Sequence, residues 1–275
     1  MNLPQSVNAE RPLILAGAGK MGGAMLAGWL EGGLDPAAVR VIDPAPPDST
    51  ATLLADAGIP PLPTTPPDTV ASVLVIAVKP QTIPNVLPGL RPLVDSATLT
   101  LSIAAGTKLQ AFTSGLESTR VVRAMPNTPA QIGRGMTVLV GGRGIAAEDR
   151  VLATALLEAV GAVEWIEDET LMDAVTALSG SGPAYVFLLA ECLAEAGVEA
   201  GLDAALARRL ADATIAGAGA LLDESGEEPG TLRRNVTSPG GTTAAALEVL
   251  TAPVGLSPLI RRAVAAAKKR SEELG

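Results

Sequence analysis

Histidine is absent from all 275 residues, which removes Ser-His-Asp and Cys-His hydrolases and nearly every zinc enzyme. Proton chemistry must fall to another group, and no metal site is expected. The single cysteine, Cys192, allows neither an internal disulfide nor a thiol cluster, and is expected as a small buried apolar residue. Basic residues are scarce too: 20 Lys and Arg face 29 Asp and Glu, a net charge of -9. With no basic run longer than Lys268-Lys269-Arg270, a footprint for a phosphate backbone is missing, and nucleic acid is excluded as a partner. Nor does any uninterrupted apolar run reach the ~18 residues of a membrane span. Leu13 to Leu30 comes nearest, but Lys20 and the glycines at 17, 19, 22 and 23 interrupt it, so it reads as strand, turn and helix. A soluble protein of the reducing cytoplasm, without a membrane partner, is expected. Hydrophobic residues nevertheless make up 48% of the chain, enough for a sizeable core, and the length favours two domains.

Residues 1–10 are polar and aperiodic, an expected disordered tail. Over 11–166, short apolar runs alternate with helix-like stretches. Strands are predicted at Leu13 to Ala16, Val39 to Ile42, Val73 to Val78, Thr98 to Ile103, Val121 to Ala124 and Thr137 to Val140, with helices at Met21 to Leu30 and Ala51 to Ala57. This alternation predicts an α/β domain with a doubly wound parallel sheet buried on both faces. Proline clusters at 44–47, 60–67 and 80–92 read as loops between strands. After Val163 to Ile166 the strand signals end, and 167–275 reads as an all-α domain. Its segment Ser181 to Ala200 is apolar around most of its circumference, which calls for burial from several sides and so for a second subunit.

Gly17-Ala18-Gly19-Lys20-Met21-Gly22 is a G-x-G-x-x-G placed between a predicted strand and a predicted helix, the context that makes this pattern a dinucleotide cradle. Asp43 ends the second strand, 21 positions beyond Gly22, where a carboxylate can accept from both ribose hydroxyls and repel a 2'-phosphate, so NADH is favoured over NADPH. The other reading of Asp43 is a residue that opens a turn before Pro44. Ala77-Val78-Lys79-Pro80 and Met125-Pro126-Asn127-Thr128-Pro129 stand at carboxyl ends of strands, where open α/β sheets bind ligands; the Asn127 amide suits a ribose or a carboxamide. Ser238-Pro239-Gly240-Gly241-Thr242-Thr243 reads as a helix start with Ser238 at the N-cap and Pro239 at the first position. Two glycines in a first helical turn are costly, and either a ligand carboxylate on the free N–H groups or a close neighbouring helix explains them. Ser179-Gly180-Ser181-Gly182-Pro183 has the same grammar, with the same two explanations.

These blocks, together with Ser102-Ile103-Ala104-Ala105-Gly106 and Asp173 to Tyr185, closely resemble the pyrroline-5-carboxylate reductase family along nearly the whole chain. The resemblance implies a Rossmann-type domain followed by a helical dimerisation domain, in a homodimer that can build into an oligomer of dimers. It implies hydride transfer from NAD(P)H to the C=N carbon of 1-pyrroline-5-carboxylate, giving L-proline in the last step of proline synthesis. By position, Ser238, Gly240, Gly241, Thr242 and Thr243 would hold the substrate carboxylate, with the Thr243 hydroxyl facing the imine nitrogen as the catalytic residue. Gly17, Gly19, Lys20, Met21, Gly22, Asp43, Ala77, Val78, Lys79, Pro80, Ser102, Ala104, Met125 and Asn127 would approach the cofactor, as would Glu169 and Asn235. Two other readings stand beside it. One is a reductase of a different cyclic imine carboxylate; the other is a silent dinucleotide-binding sensor. The related hydroxyacid dehydrogenases use a lysine at the start of their helical domain, and this chain has none between Lys108 and Lys268.

Overall fold

The computed structural model describes residues 7–274, which fall into two compact units. The first takes the residues through Gly180 together with 268–274, and the second runs from Ser181 to Ala267. Of the expected tail, 1–6 lie outside the described residues, while Asn8 Oδ1 accepts from the N–H groups of Glu10 and Arg11 at 3.0 Å, giving 8–11 a defined turn.

In the first unit the strands are β1 (Leu13–Ala16), β2 (Val39–Ile42), β3 (Pro61–Leu62), β4 (Val73–Ile76), β5 (Leu99–Ser102), β6 (Val121–Met125), β7 (Gly135–Gly141) and β8 (Gly161–Trp165). They form one sheet in the order β3-β2-β1-β4-β5-β6-β7-β8. The helices are α1 (Lys20–Glu31), α2 (Asp48–Asp56), α3 (Ile83–Leu90), α4 (Leu109–Leu116), α5 (Ala147–Glu158) and the short α6 (Met172–Val175), which runs into a π-helical turn at Thr176–Gly180. Every residue of β1 and β4 is buried, because helices cover both faces. Leu13, Leu15, Val73, Val75 and Leu101 meet Met25, Leu26 and Trp29 of α1 and Leu156 of α5 on one side. Ile14, Leu74 and Ile76 meet Ile83 and Leu87 of α3 and Phe112 of α4 on the other.

The sheet departs from the expected all-parallel pattern at one pair: β7 runs antiparallel to β6. The connection over 126–134 is a single 3-10 turn, too short for the dozen or so residues of a parallel crossover. The proline-rich stretch 80–92 is also not simple loop. Pro80, Pro84 and Pro92 occupy the first or second positions of helical turns, where no N–H is needed, and the exposed Pro88 sits within α3 while Ile83, Leu87 and Leu90 bury its inner face. In the 60–67 cluster, Pro61 begins β3, an edge strand that tolerates proline.

The second unit holds α7 (Gly182–Glu199), α8 (Ala204–Ser225), α9 (Pro229–Asn235), α10 (Thr242–Leu250) and most of α11 (Leu256–Leu274). The first two form a hairpin, its loop turned by Gly201 at φ +99 and by Asp203, whose carboxylate caps α8 by accepting from Ala205 and Leu206 N–H. Along α7 only Ala190 is buried in the single chain; Phe187 is 62% exposed and Leu188 57%, and Leu189 and Leu193 are also open. Cys192 lies on the same surface and is exposed, contrary to the expected buried thiol, because one subunit supplies no cover there. By length and composition alone, Glu169–Glu199 is apolar enough to cross a bilayer.

Candidate active site

The glycines of the β1–α1 turn have three separate physical jobs. Gly17 adopts φ +92, and a Cβ there would lie 2.8 Å from the Ala77 carbonyl carbon, so only glycine lets this turn pass beneath β4. A Cβ on Gly22 would strike the Gly17 carbonyl oxygen, so α1 can begin this close to β1 only without a side chain. Around Gly19 the space is open, with nothing within 4 Å of a Cβ position. An open glycine at the N-terminus of a buried helix, with no side-chain cap on its free N–H groups, fits a pyrophosphate.

Parallel register brings the neighbouring loops level with this turn. Ala16 pairs with both Ile42 and Ile76, Ile76 with Ser102, and Ser102 with Arg123. Asp43, Ala77 to Pro80, Ala104 and Met125 to Asn127 therefore all leave the carboxyl edge of the sheet. Lys20, Lys79 and Pro80 are exposed there; Met21, Ala77, Val78, Met125 and Asn127 are half-buried.

Several of these polar groups are already engaged. Asp43 Oδ2 accepts from Ala18 N–H at 2.7 Å, inside the glycine turn, and its Oδ1 accepts from Ala45 N–H at 2.9 Å. The carboxylate thus holds the cradle in shape, and each oxygen keeps a lone pair beyond the bond it accepts. Ser102 is fully buried, and its hydroxyl accepts from Ala104 N–H at 3.3 Å. Asn127 Oδ1 accepts from Met136 N–H at 2.9 Å, and its Nδ2 donates to Ser179 Oγ at 3.3 Å.

Glu169 has a bridging role. Its Oε1 accepts from Leu109 N–H at 2.8 Å, capping α4 from a distant part of the chain, and from Arg123 Nη1 at 2.9 Å. The Arg123 side chain is only 4% exposed. This pair joins β6 to the start of α4. Arg123 went unnoticed in the sequence, although a lone charge within the apolar strand Val121–Met125 is a usable signal, since a buried charge needs a partner. Beside Glu169, the Asp168 carboxyl sits below its ordinary range, held there first by its side-chain hydrogen bond with Thr170.

In the second unit the structure corrects the expected helix start. Helix α10 begins at Thr242 with Gly241 at the N-cap, not with Ser238 at the N-cap and Pro239 at the first position. Gly240 takes φ +67, a left-handed conformation that no helical residue adopts, so 238–241 close a turn in which Gly241 N–H donates to Ser238 O at 3.0 Å. The glycines precede the helix and carry none of the cost of a first-turn glycine. A Cβ on Gly241 would lie 2.5 Å from Ser238 Oγ, so its bareness makes room for that hydroxyl. The N–H groups of Thr242 and Thr243 open α10 with no acceptor from their own helix, and Thr243 is half-buried. Asn235 is exposed at the end of α9, its Nδ2 3.4 Å from Glu227 Oε2.

Comparison with known proteins places both halves. The family model described as pyrroline-5-carboxylate reductase dimerisation matches residues 169–274, and one described as NADP oxidoreductase coenzyme F420-dependent matches 13–106. The pyrroline-5-carboxylate reductase of Synechocystis is 46% identical over 211 residues, covering 75% of this chain and 76% of its own. Among solved structures, a pyrroline-5-carboxylate reductase from Coxiella burnetii superposes with a TM-score of 0.88 at 33% identity, over 97% of this chain and 99% of that one. The Plasmodium falciparum pyrroline carboxylate reductase, solved with NADP bound, gives 0.81 at 27% identity over 98% and 99%. With its sheet, its glycine turn and its helical half all matched, the chain belongs to the pyrroline-5-carboxylate reductase family.

Proposed function

We propose that this protein reduces the C=N bond of 1-pyrroline-5-carboxylate to L-proline with NAD(P)H, the last step of proline synthesis, as a cytoplasmic homodimer. The observation that carries this reading is the pairing, in one chain, of an open glycine cradle with a glycine turn that feeds bare amides into α10. A sensor would need only the first of these. Residues 11–166 form the cofactor half and 167–275 the half that dimerises and holds substrate.

When bound, the reduced nicotinamide supplies the hydride that adds to the imine carbon. The chain's residues bind and orient. Gly17, Gly19, Lys20, Met21 and Gly22 receive the pyrophosphate at the α1 N-terminus, where free N–H groups and the helix dipole favour an anion. Ala77 to Pro80, Ser102, Ala104, Met125 and Asn127 shape the remaining wall, Ser102 and Asn127 through the backbone groups they hold. Glu169 supports the same wall through Arg123; Asn235 is assigned to the cofactor on the family resemblance alone. Asp43 keeps a negative charge beside the ribose, which disfavours a 2'-phosphate and favours NADH. At α10, the Thr242 and Thr243 amides take the substrate carboxylate, with Ser238, Gly240 and Gly241 setting the turn. The Thr243 hydroxyl orients the imine nitrogen. For the neutral imine it relays a proton from water, because a plain hydroxyl is too weak an acid to be the source; an iminium formed in solution already carries that proton and needs only the hydride. The open face of α7 is covered by a second subunit rather than by lipid; Glu191 and Glu195 on that helix suit a protein partner better than a bilayer core.

Paired assays of NADH and NADPH oxidation, with five- and six-membered cyclic imine carboxylates, test this reading. NADH with the five-membered ring should give the highest kcat/KM. In Thr243→Val the value should fall by about a hundredfold or more while cofactor affinity stays. Cofactor binding without reduction of either imine would make the protein a sensor.

A further inference from the structure

The hydrogen bonds around Asn127 determine the direction of a proton on Ser179. A backbone N–H can only donate, so the contact from Met136 N at 2.9 Å fixes the Asn127 acceptor as Oδ1 and turns Nδ2 toward Ser179. Nδ2 can only donate, so Ser179 Oγ, 3.3 Å away, must accept. The Ser179 proton is thereby directed away from Asn127. Ser179 is half-buried, and its hydroxyl makes no other hydrogen bond among the described residues. Its backbone belongs to the π-helical turn Thr176–Gly180, a local departure from α geometry of a kind that clusters at functional sites. Gly180 brings that turn close to the end of β6, where a Cβ would meet the flexible tip of the Met125 side chain.

We infer that Ser179 is a further cofactor-binding residue, a hydroxyl donor for the carboxamide oxygen of the nicotinamide, and that Asn127 is the positioning residue that keeps it a donor. The inference rests on the proposed use of the β6 loop in cofactor binding. It changes the part given to Asn127, whose amide holds Met136 N–H with its oxygen and Ser179 Oγ with one of its two N–H groups.

The test inverts the hydrogen bond without changing its shape. In Asn127→Asp, one carboxylate oxygen still accepts from Met136 N–H, but the other now takes the Ser179 proton. Cofactor dissociation constants for NADH and NADPH are measured by fluorescence titration in the absence of substrate, alongside thermal melts of the cofactor-free protein. Asn127→Asp and Ser179→Ala should each raise Kd by about tenfold, the size of one hydrogen bond. The double variant should be no worse than either single one, Ser179→Thr should bind as wild type does, and the cofactor-free melting temperatures should match. A wild-type Kd in Ser179→Ala overturns the inference, as does an Asn127→Asp Kd within twofold of wild type, or a change confined to the KM for the imine. Because Kd is read without turnover, a protein that binds cofactor but reduces no imine would sink the proposed function and leave this result standing.

Discussion

Removing the Glu169 carboxylate should cost more stability than any other single truncation near the candidate site. In Glu169→Ala, Arg123 keeps its charge at 4% side-chain exposure with no acid beside it, and Leu109 N–H loses its cap on α4. Breaking a fully buried ion pair costs about 3–5 kcal/mol, but the Glu169 side chain is 28% exposed, so water can reach the guanidinium and the loss is nearer 2–3. A lost helix cap adds about 1 kcal/mol. The total, about 3–4 kcal/mol, corresponds to a fall in Tm of roughly 6–16 °C for a unit of this size. Glu169→Gln, which still offers an oxygen to Leu109, should lose about half as much. Arg123→Met added to Glu169→Ala should recover part of the loss, since the orphaned charge is then gone. Differential scanning calorimetry on the three variants gives the answer. A Glu169→Ala protein melting within about 2 °C of wild type would mean that the pair is no strut.

Other consequences are equally direct. Gly22→Ala places a methyl group against the Gly17 carbonyl and should lower both Tm and cofactor affinity, whereas Gly19→Ala enters open space and should weaken cofactor binding at unchanged Tm; equal behaviour of the two would contradict their assigned roles. Leu189→Glu puts a charge into the open apolar face of α7 and should turn a dimer into monomer or aggregate in sedimentation, while a wild-type monomer at micromolar concentration would defeat the dimer outright. The Asp95 carboxyl is held well below its ordinary range, chiefly by its hydrogen bond from Arg11. A depressed acid stabilises above its unfolded pKa of about 3.9, and that contribution is lost as pH falls through the folded value. Since both side chains are more than a third exposed, it should be about 1 kcal/mol or less, seen as a flatter acid limb of Tm against pH in Asp95→Asn.

What the sequence revealed follows how strongly burial constrains each element. Runs such as Val73–Ile76, apolar without alternation, leave little choice but a strand covered on both faces, and the glycine spacing after β1 identifies the cradle from its own sterics. Helix α3 was illegible because its prolines are locally anti-helical, and only the burial of Ile83, Leu87 and Leu90 against the sheet overrides them. The antiparallel β7 depends on the length of one connection, not on the strand's residues. At the site, the residue types at the carboxyl edge were legible, but their partners were not. Contacts such as Asp43 to Ala18, Asn127 to Ser179 and Glu169 to Arg123 join residues far apart in the chain, and no local pattern encodes them. The helix start at Thr242 was missed for another reason. Ser-Pro is a good helix entry by propensity, and the left-handed Gly240 is what postpones it.

The most direct measurement is the fate of the hydride. Incubated with NADH deuterated at the transferring position and with 1-pyrroline-5-carboxylate, the protein should yield L-proline carrying one deuterium at the former imine carbon, read by NMR and by chiral chromatography. Cofactor that binds but yields no proline, or proline free of deuterium, would contradict imine reduction by this chain.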